Sequence, residues 1–404
     1  MLANVDRARR VLRDEGIDGV ISSTLENNFY LTGVWNVIYE HFQYDTQSYV
    51  VACSDNVAGG IMVTSVGEAD LALAAYSSIA DNITFGKFFR EVRPEAQLSP
   101  DELRIKARTI DQAQEPSAID ALVAGIAAAG LDRSVIAVDE RGANRALIEE
   151  LTSRVPQAKL VPGAQLFRRI RMVKTKDELE RLVRALRITE NAIRAAVAAA
   201  SPGVTEAELH GVFERAIVGG GARPAFTHLR FGRNMALGQL PSGDTRLDEN
   251  DFIWFDVGCT YEGYRSDIGR IVVIGDADSH LLELCAASLA GQSCAIAMMK
   301  PGVLPNDIFE AVVDVVRHSG IPHYRRHHVG HGIGVEFYDQ PTISPGSTTP
   351  LESNMIFEVE TPYYELGFGG AFNEDTVLIT DSGSQVLTEL DRGILKAPSA
   401  RAIN

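Results

Sequence analysis

The stretch "WFDVGCTYEGYRSDIGR", residues 254–270, decides how the rest of the chain is read. Four apolar residues, Phe252 to Phe255, run straight into Asp256, and Asp267 follows eleven residues on. The aromatic and β-branched run reads as a strand, with a second strand returning after a turn. A loop with an even number of residues, centred on Tyr261-Glu262, sets Asp256 directly opposite Asp267 on one face. A buried carboxylate is costly unless a positive charge meets it, and two of them repel. A solvated turn would explain Asp267 but not Asp256, which ends an apolar run. A cation between the two is the better reading.

The last third of the chain supplies partners. "HHVGHGIG", residues 327–334, puts His331 between two glycines in a short turn or strand. A lone His is usually structural, but three within five residues beside glycines point elsewhere. "NMIFEVETP", residues 354–362, carries Glu358 and Glu360 on one face of an apolar strand. Spacing alone does not separate these two. "GGAFNEDTVLIT", residues 369–380, carries Glu374 just ahead of another apolar strand. Two Asp, one His and two Glu suit hard to borderline divalent ions. So many carboxylates for one imidazole suggest two ions, ~3.5–4 Å apart as in two-metal sites.

Around this core the chain reads as two domains, residues 1–165 and 166–404. In the first, helix and strand signals alternate, which suggests an α/β layer. Asp6 to Glu15 reads as a charged helix, Gly19 to Ser23 as a buried strand, Asn27 to Gly33 as strand and turn, and Ser134 to Asp139 as a strand. His41, Tyr44 and Asp45 could reach a neighbouring site but read first as surface loop residues. Thr175-Lys176-Asp177-Glu178 is a capping box that opens a helix with a stripe at Leu179, Leu182, Val183, Leu186 and Ile193. Ser201-Pro202-Gly203 stops it. A weak repeat follows: "AAASPGVTEAELHGVFERAIVGGG" and "AMMKPGVLPNDIFEAVVDVVRHSG" each read as helix, Pro-Gly-Val, helix and glycine stop. A hairpin-rich segment follows each copy, at 251–275 and 355–380. Two such halves are expected to pack sheet to sheet, helices outside, with a site between them.

Composition narrows the partners. Across 404 residues, Lys+Arg total 38 against 54 Asp+Glu, a net charge of -16. That argues against a nucleic-acid surface. The four cysteines form no CxxC, so reduced thiols in the cytoplasm are expected. The N-terminus reads as an amphipathic helix without a signal-peptide core, and no run approaches a membrane span. No membrane partner is therefore expected.

At these residues the chain resembles the pita-bread metallopeptidase family, which includes Xaa-Pro aminopeptidase, prolidase, methionine aminopeptidase and creatinase. The resemblance covers nearly the whole chain. "RRVLRDEGIDGVISSTLENNFYLTGV" is similar to the N-terminal domain of the prolidase and creatinase branch. "IRMVKTKDELERLVRALRITENAI" is similar to the opening helix of its catalytic domain. The DxG…GYxSD pattern, GHGIG, the strand Glu and the final ED pair follow in family order. The resemblance implies an α+β fold, a creatinase-like α/β domain before a pita-bread catalytic domain. It implies five metal ligands, Asp256, Asp267, His331, Glu360 and Glu374, and so chooses Glu360 over Glu358. It implies two divalent ions, manganese first, with zinc, cobalt or iron as alternatives, and a homodimer.

Three positions depart from the family pattern. Gln239, in "ALGQLPSGD", stands where a His precedes the first ligand by seventeen residues. Tyr338, in "VEFYDQP", replaces a second His, and Phe372, in "GAFNED", replaces an Arg. Gln does not titrate near neutrality, and Tyr does so only around pH 10. The metals look retained and the substrate shell rewritten. Gln239, Tyr338, Phe372, His228 and His327 are the expected substrate contacts, and His331 and Glu360 the catalytic pair, with Glu360 taking the nucleophile's proton. The expected activity is metal-dependent hydrolysis of an amide or other C–N bond, with a small substrate favoured over an Xaa-Pro peptide by the rewritten shell. A true Xaa-Pro peptidase, a lyase of the same fold and a binding protein without catalysis are the alternatives. Five intact ligands weigh against the last.

Overall fold

The computed structural model describes residues 2–75 and 79–397. The chain divides into two compact units, Met1–Arg171 and Met172–Asn404. The helix Ala164–Arg171 runs across the boundary expected at 165. The second unit thus starts at Met172 rather than at residue 166.

The first unit is built on a six-stranded mixed sheet. Gly19–Ser22 lies at its centre, antiparallel to Tyr49–Cys53 and parallel to Val135–Val138. Both expected strands are present. Asn27 to Gly33 is different: Leu25–Thr32 is a helix, not a strand. The Thr24 side chain accepts from the Asn27 N–H at its start, and Gly33, at φ 73°, ends it in the left-handed region. Asn27 through Thr32 are all buried. A helix buried all round shows no 3.6-residue stripe, so its period cannot be read from sequence.

In the second unit, Lys176–Ala199 is a helix whose capping box is formed by Thr175 and Glu178. Both repeat copies fold as expected. Lys176–Ala199 and Glu206–Gly219 form the first helix pair, Ser279–Met298 and Pro305–His318 the second. Gly203 (φ 94°) and Gly302 (φ 88°) take the same left-handed step between paired helices.

The two halves do not stack sheet on sheet. They join edge to edge in one ten-stranded sheet, where Ile268–Val273 pairs with Glu374–Ile379 through Gly269 and Glu374. The hairpin register also differs from expectation. Asp256 pairs with Gly269, because the turn is the two-residue Glu262-Gly263, both at positive φ (45° and 83°). Asp267 lies two residues from the position facing Asp256. Side chains repeat every two residues along a strand, so this slip leaves both carboxylates on one face.

The helix Ser279–Met298, 20 residues long, is long and apolar enough to cross a membrane, which corrects the expectation that no run is. Its buried side chains bond to the sheet instead. Ser288 Oγ donates to Thr361 O at 2.8 Å, and Gln292 Nε2 to Val359 O at 3.0 Å.

Phe372 is the other correction. It is 1% exposed, so it is no wall for a substrate. Its ring covers Gly269, where an added Cβ would come within 1.8 Å of it, and meets Trp254 edge-on at 6.0 Å. A glycine between two carboxylate-bearing strands leaves a hole that the ring fills. Phe372→Ala is therefore expected to cost about 3–5 kcal/mol of stability. Denaturant unfolding checks this; a lowered affinity for substrate with unchanged stability would restore Phe372 to a substrate-binding role.

Candidate metal centre

Strand register sets the site. Across the sheet, His228 pairs with Asp256, Asp256 with Gly269, Gly269 with Glu374, and Glu374 with Glu360. Directly paired residues point to one face, so this row presents three carboxylates together. His331 pairs with Glu358, and Glu358 with Thr376, in the neighbouring row. Gly330 and Gly332 permit the close approach around His331. A Cβ on them would lie 2.5 Å from Glu358 O and 2.7 Å from Gln340 O.

Asp267, His331 and Glu374 each offer a ligand atom within 4.8 Å of the others, and all three are buried. His331 Nε2 lies 3.9 Å from Asp267 Oδ2. Its Nδ1 lies 3.0 Å from Gly332 O, which fixes the proton on Nδ1 and leaves the Nε2 lone pair to the cluster. Burial lowers its pKa to about 4, so the ring is neutral.

The carboxylates carry the opposite strain. Burial, then the charge of Glu360, pushes Asp256 up. Burial, then Asp256, pushes Asp267 up, and burial, then Asp267, pushes Glu374 up. Asp267 Oδ1 and Glu374 Oε2 are buried without a hydrogen-bond partner. Orphaned, mutually repelling carboxylate oxygens beside a neutral imidazole fit divalent cations.

The remaining expected residues divide. The Tyr338 ring stacks on His331 at 3.9 Å and 15°, half exposed, with its phenol pushed up by burial first and then by Glu360. His228 Nδ1 is 4.0 Å from Asp256 Oδ2, and burial lowers its pKa. His327 is exposed and meets the His328 ring edge-on at 4.3 Å. Gln239 is exposed in the turn after the helical segment Gly232–Leu237.

Four further residues lie at the site: His328 and Glu358, which the sequence offered as candidates, and Arg326 and Tyr364, which were not expected there. His328 Nδ1 lies 3.1 Å from Glu360 Oε1, without a hydrogen bond's alignment. Its pKa falls to about 3, by burial first and then by His331. Arg326 Nη2 lies 3.7 Å from Glu360 Oε2. Tyr364 meets Trp254 edge-on at 6.0 Å, and its phenol is pushed up by burial, then by Asp256. Glu358 is fully buried; Oε1 accepts from Thr376 Oγ1 at 3.1 Å, and Oε2 has no partner. The run "YRRHH" ahead of GHGIG carried a signal for Arg326 and His328.

The model of metallopeptidase family M24 matches residues 180–381, and that of the creatinase/prolidase N-terminal domain matches residues 4–173. The chain belongs to metallopeptidase family M24. Members of this family carry divalent metal ions, which agrees with the donor set. A Xaa-Pro dipeptidase of Pyrococcus furiosus is 32% identical over 228 residues, 56% of this chain and 66% of that relative, just under two thirds of its length. A Xaa-Pro dipeptidase of Pyrococcus horikoshii is 29% identical over 61% of this chain and 71% of its own. Among solved structures, the Xaa-Pro dipeptidase from Bacillus anthracis superposes with a TM-score of 0.78 at 22% identity, covering 97% of this chain and 98% of that one. The X-Pro aminopeptidase from Thermotoga maritima gives 0.75 at 24%, covering 97% and 99%. At such identities these structures speak for the fold alone: a creatinase-type domain followed by the M24 domain.

Proposed function

We propose that this chain is a two-metal hydrolase that cleaves an amide bond in a short peptide, with Xaa-Pro dipeptides as the first class. The carrying observation is the convergence of Asp267, His331 and Glu374 within 4.8 Å, with Asp256 and Glu360 in the same row of the sheet as Glu374. These five residues would hold the ions, manganese being the first to try. When bound, the ions supply positive charge that polarises a carbonyl and acidifies water. Glu360 is placed to accept the proton of the attacking water. His328 flanks it, with Nδ1 3.1 Å from Glu360 Oε1. Tyr338, stacked on His331, covers the imidazole and holds it in plane. A homodimer belongs to the same reading. The four cysteines are free thiols, which supports a reducing compartment such as the cytoplasm.

A second reading, a small non-peptide amide, is favoured by Tyr338 and Gln239 at positions where the family resemblance calls for histidines. The two readings separate in one assay. Protein loaded with Mn²⁺ is expected to cleave an Xaa-Pro dipeptide with kcat/KM of ~10⁴ M⁻¹s⁻¹ or more. Turnover of small amides with no cleavage of any Xaa-Pro dipeptide would select the second.

A further inference from the structure

Glu358 is a carboxylate too many for a centre of five donors. It is fully buried. It lies two residues from Glu360 on one strand, so the two side chains share a face. On one neighbouring strand it stands directly opposite His331, and on the other opposite Thr376, two residues beyond Glu374. Three of the proposed ligands therefore surround it on the face of the metal row. Thr376 Oγ1 donates to its Oε1 at 3.1 Å, which holds the carboxylate in place. Oε2 is buried without a hydrogen-bond partner. Among the described residues, no Lys, Arg or His nitrogen lies within 4.0 Å of this carboxylate. The fully buried guanidinium of Arg270 is taken instead by Asp375, at 2.5 Å. The charge of Glu358 is felt at the ligands: Asp267 is pushed up by burial, then by Asp256, then by Glu358. A strand interior gains nothing in packing from a carboxylate with one oxygen unanswered, and desolvating such a group is costly. The cations of this centre can answer it.

We infer that Glu358 is a sixth protein donor of the metal centre, through Oε2, and that it makes the centre selective for hard, six-coordinate ions such as Mn²⁺ over Zn²⁺. The inference rests on the two-metal reading and adds a residue to it. At a given set of donors, affinity otherwise favours Zn²⁺ over Mn²⁺. Zn²⁺ is usually held by four donors, while Mn²⁺ suits an octahedral, oxygen-rich shell. A fifth carboxylate beside Asp256, Asp267, Glu360 and Glu374 adds oxygen and negative charge, and both favour the harder ion. The Thr376 hydroxyl is the kind of orienting partner that ligating carboxylates carry. A buried glutamic acid with a purely structural role would leave metal affinity and selectivity untouched when replaced by its amide.

The full chain, stripped of metal, is titrated with Mn²⁺ and with Zn²⁺ by calorimetry. Glu358→Gln keeps the shape of the side chain and the bond from Thr376 and removes the charge. It is expected to weaken Mn²⁺ binding by roughly 10–100-fold and Zn²⁺ binding by about threefold or less. Thr376→Val, which keeps Glu358 but takes away its orienting bond, is expected to weaken Mn²⁺ binding by about tenfold. Visible spectra of the Co²⁺-loaded forms give a readout independent of affinity. The Co²⁺ bands strengthen as the shell loses a donor, so Glu358→Leu should absorb more strongly than wild type. Unchanged Mn²⁺ affinity in Glu358→Gln overturns the inference. So does an equal loss for both ions with an unaltered Co²⁺ spectrum, because a charge at a distance acts on every divalent ion alike. Wild type that binds no Mn²⁺ takes down the two-metal reading and the sixth donor together. Wild type that binds Mn²⁺ but cleaves no amide removes the hydrolase alone, and a selective loss of Mn²⁺ in Glu358→Gln would still support the donor. Should Glu358→Leu fail to fold, Glu358→Gln and Thr376→Val decide.

Discussion

Glu374→Ala and Asp267→Ala are each expected to reduce bound metal by about one ion per chain and to lower kcat by ~10³-fold or more, near the loss from removing a key electrostatic group. Asp256→Ala should do the same from the other side of the row. The reason is geometric. Glu374 pairs with Gly269 on one side and with Glu360 on the other, so it sits where the two halves of the row meet. Asp267 and His331 complete one pole with it. Among the described residues none of these three carboxylates has a Lys or Arg within 4.0 Å, so its removal subtracts a ligand without freeing a structural ion pair. Elemental analysis of the purified variants, with circular dichroism for the fold, gives the answer. Near wild-type metal content in all three variants would sink the ligand assignment.

Much of this site was legible because its residues break local rules. Asp256 ends an apolar strand, and Glu358 and Glu360 sit inside another. No packing argument calls for a carboxylate in such places. The face they share could be read as well, since parity along a strand survives a register error of two residues. The register itself could not, because Tyr261-Glu262 and Glu262-Gly263 are both plausible turn centres until both φ angles are known. Phe372 was misplaced for a related reason. Nothing in the sequence shows that Gly269, on another strand, leaves a hole its ring fills. The edge-to-edge union of the two halves runs through the pairing of Gly269 with Glu374, which no repeat pattern specifies. Arg326 was passed over because an Arg in a loop is ordinarily solvated, and only the fold sets it against Glu360. The Leu25–Thr32 helix was missed for want of a stripe, all its faces from Asn27 onward being buried.

The metal-free protein is expected to lose stability as pH rises, and metal is expected to abolish most of that loss. Burial raises the carboxyl pKa values of the cluster, Asp256 to about 8 with the charge of Glu360 adding to the rise, and Glu360 to about 7 against the lowering by Arg326. In the unfolded chain these groups titrate near ~4. The folded state therefore binds more protons than the unfolded state between these values, and stability falls with rising pH. Stability is full below pH ~4 and is lost progressively through neutrality to about 8, at ~1.4 kcal/mol for each pKa unit raised. Several carboxyls together approach the total stability of a domain. Melting of the metal-free form should thus drop by on the order of 10 °C between pH 5 and pH 8. Bound ions hold the carboxylates charged at both pH values, so the loaded form should show a much flatter profile. A residue of slope remains from Glu178, which burial raises to about 7 despite Lys174 and the Tyr264 hydroxyl at 3.0 Å. Glu178→Gln, which can keep the capping box, should remove that residue alone. Glu374→Gln makes the sharper test, because deleting one of several repelling charges should leave the metal-free variant more stable at pH 8 than metal-free wild type. Scanning calorimetry of both forms at the two pH values measures each sign. A metal-free wild type that gains stability from pH 5 to pH 8, or a Glu374→Gln variant less stable than it at pH 8, would show that the carboxylates do not crowd one another as the row across the sheet requires.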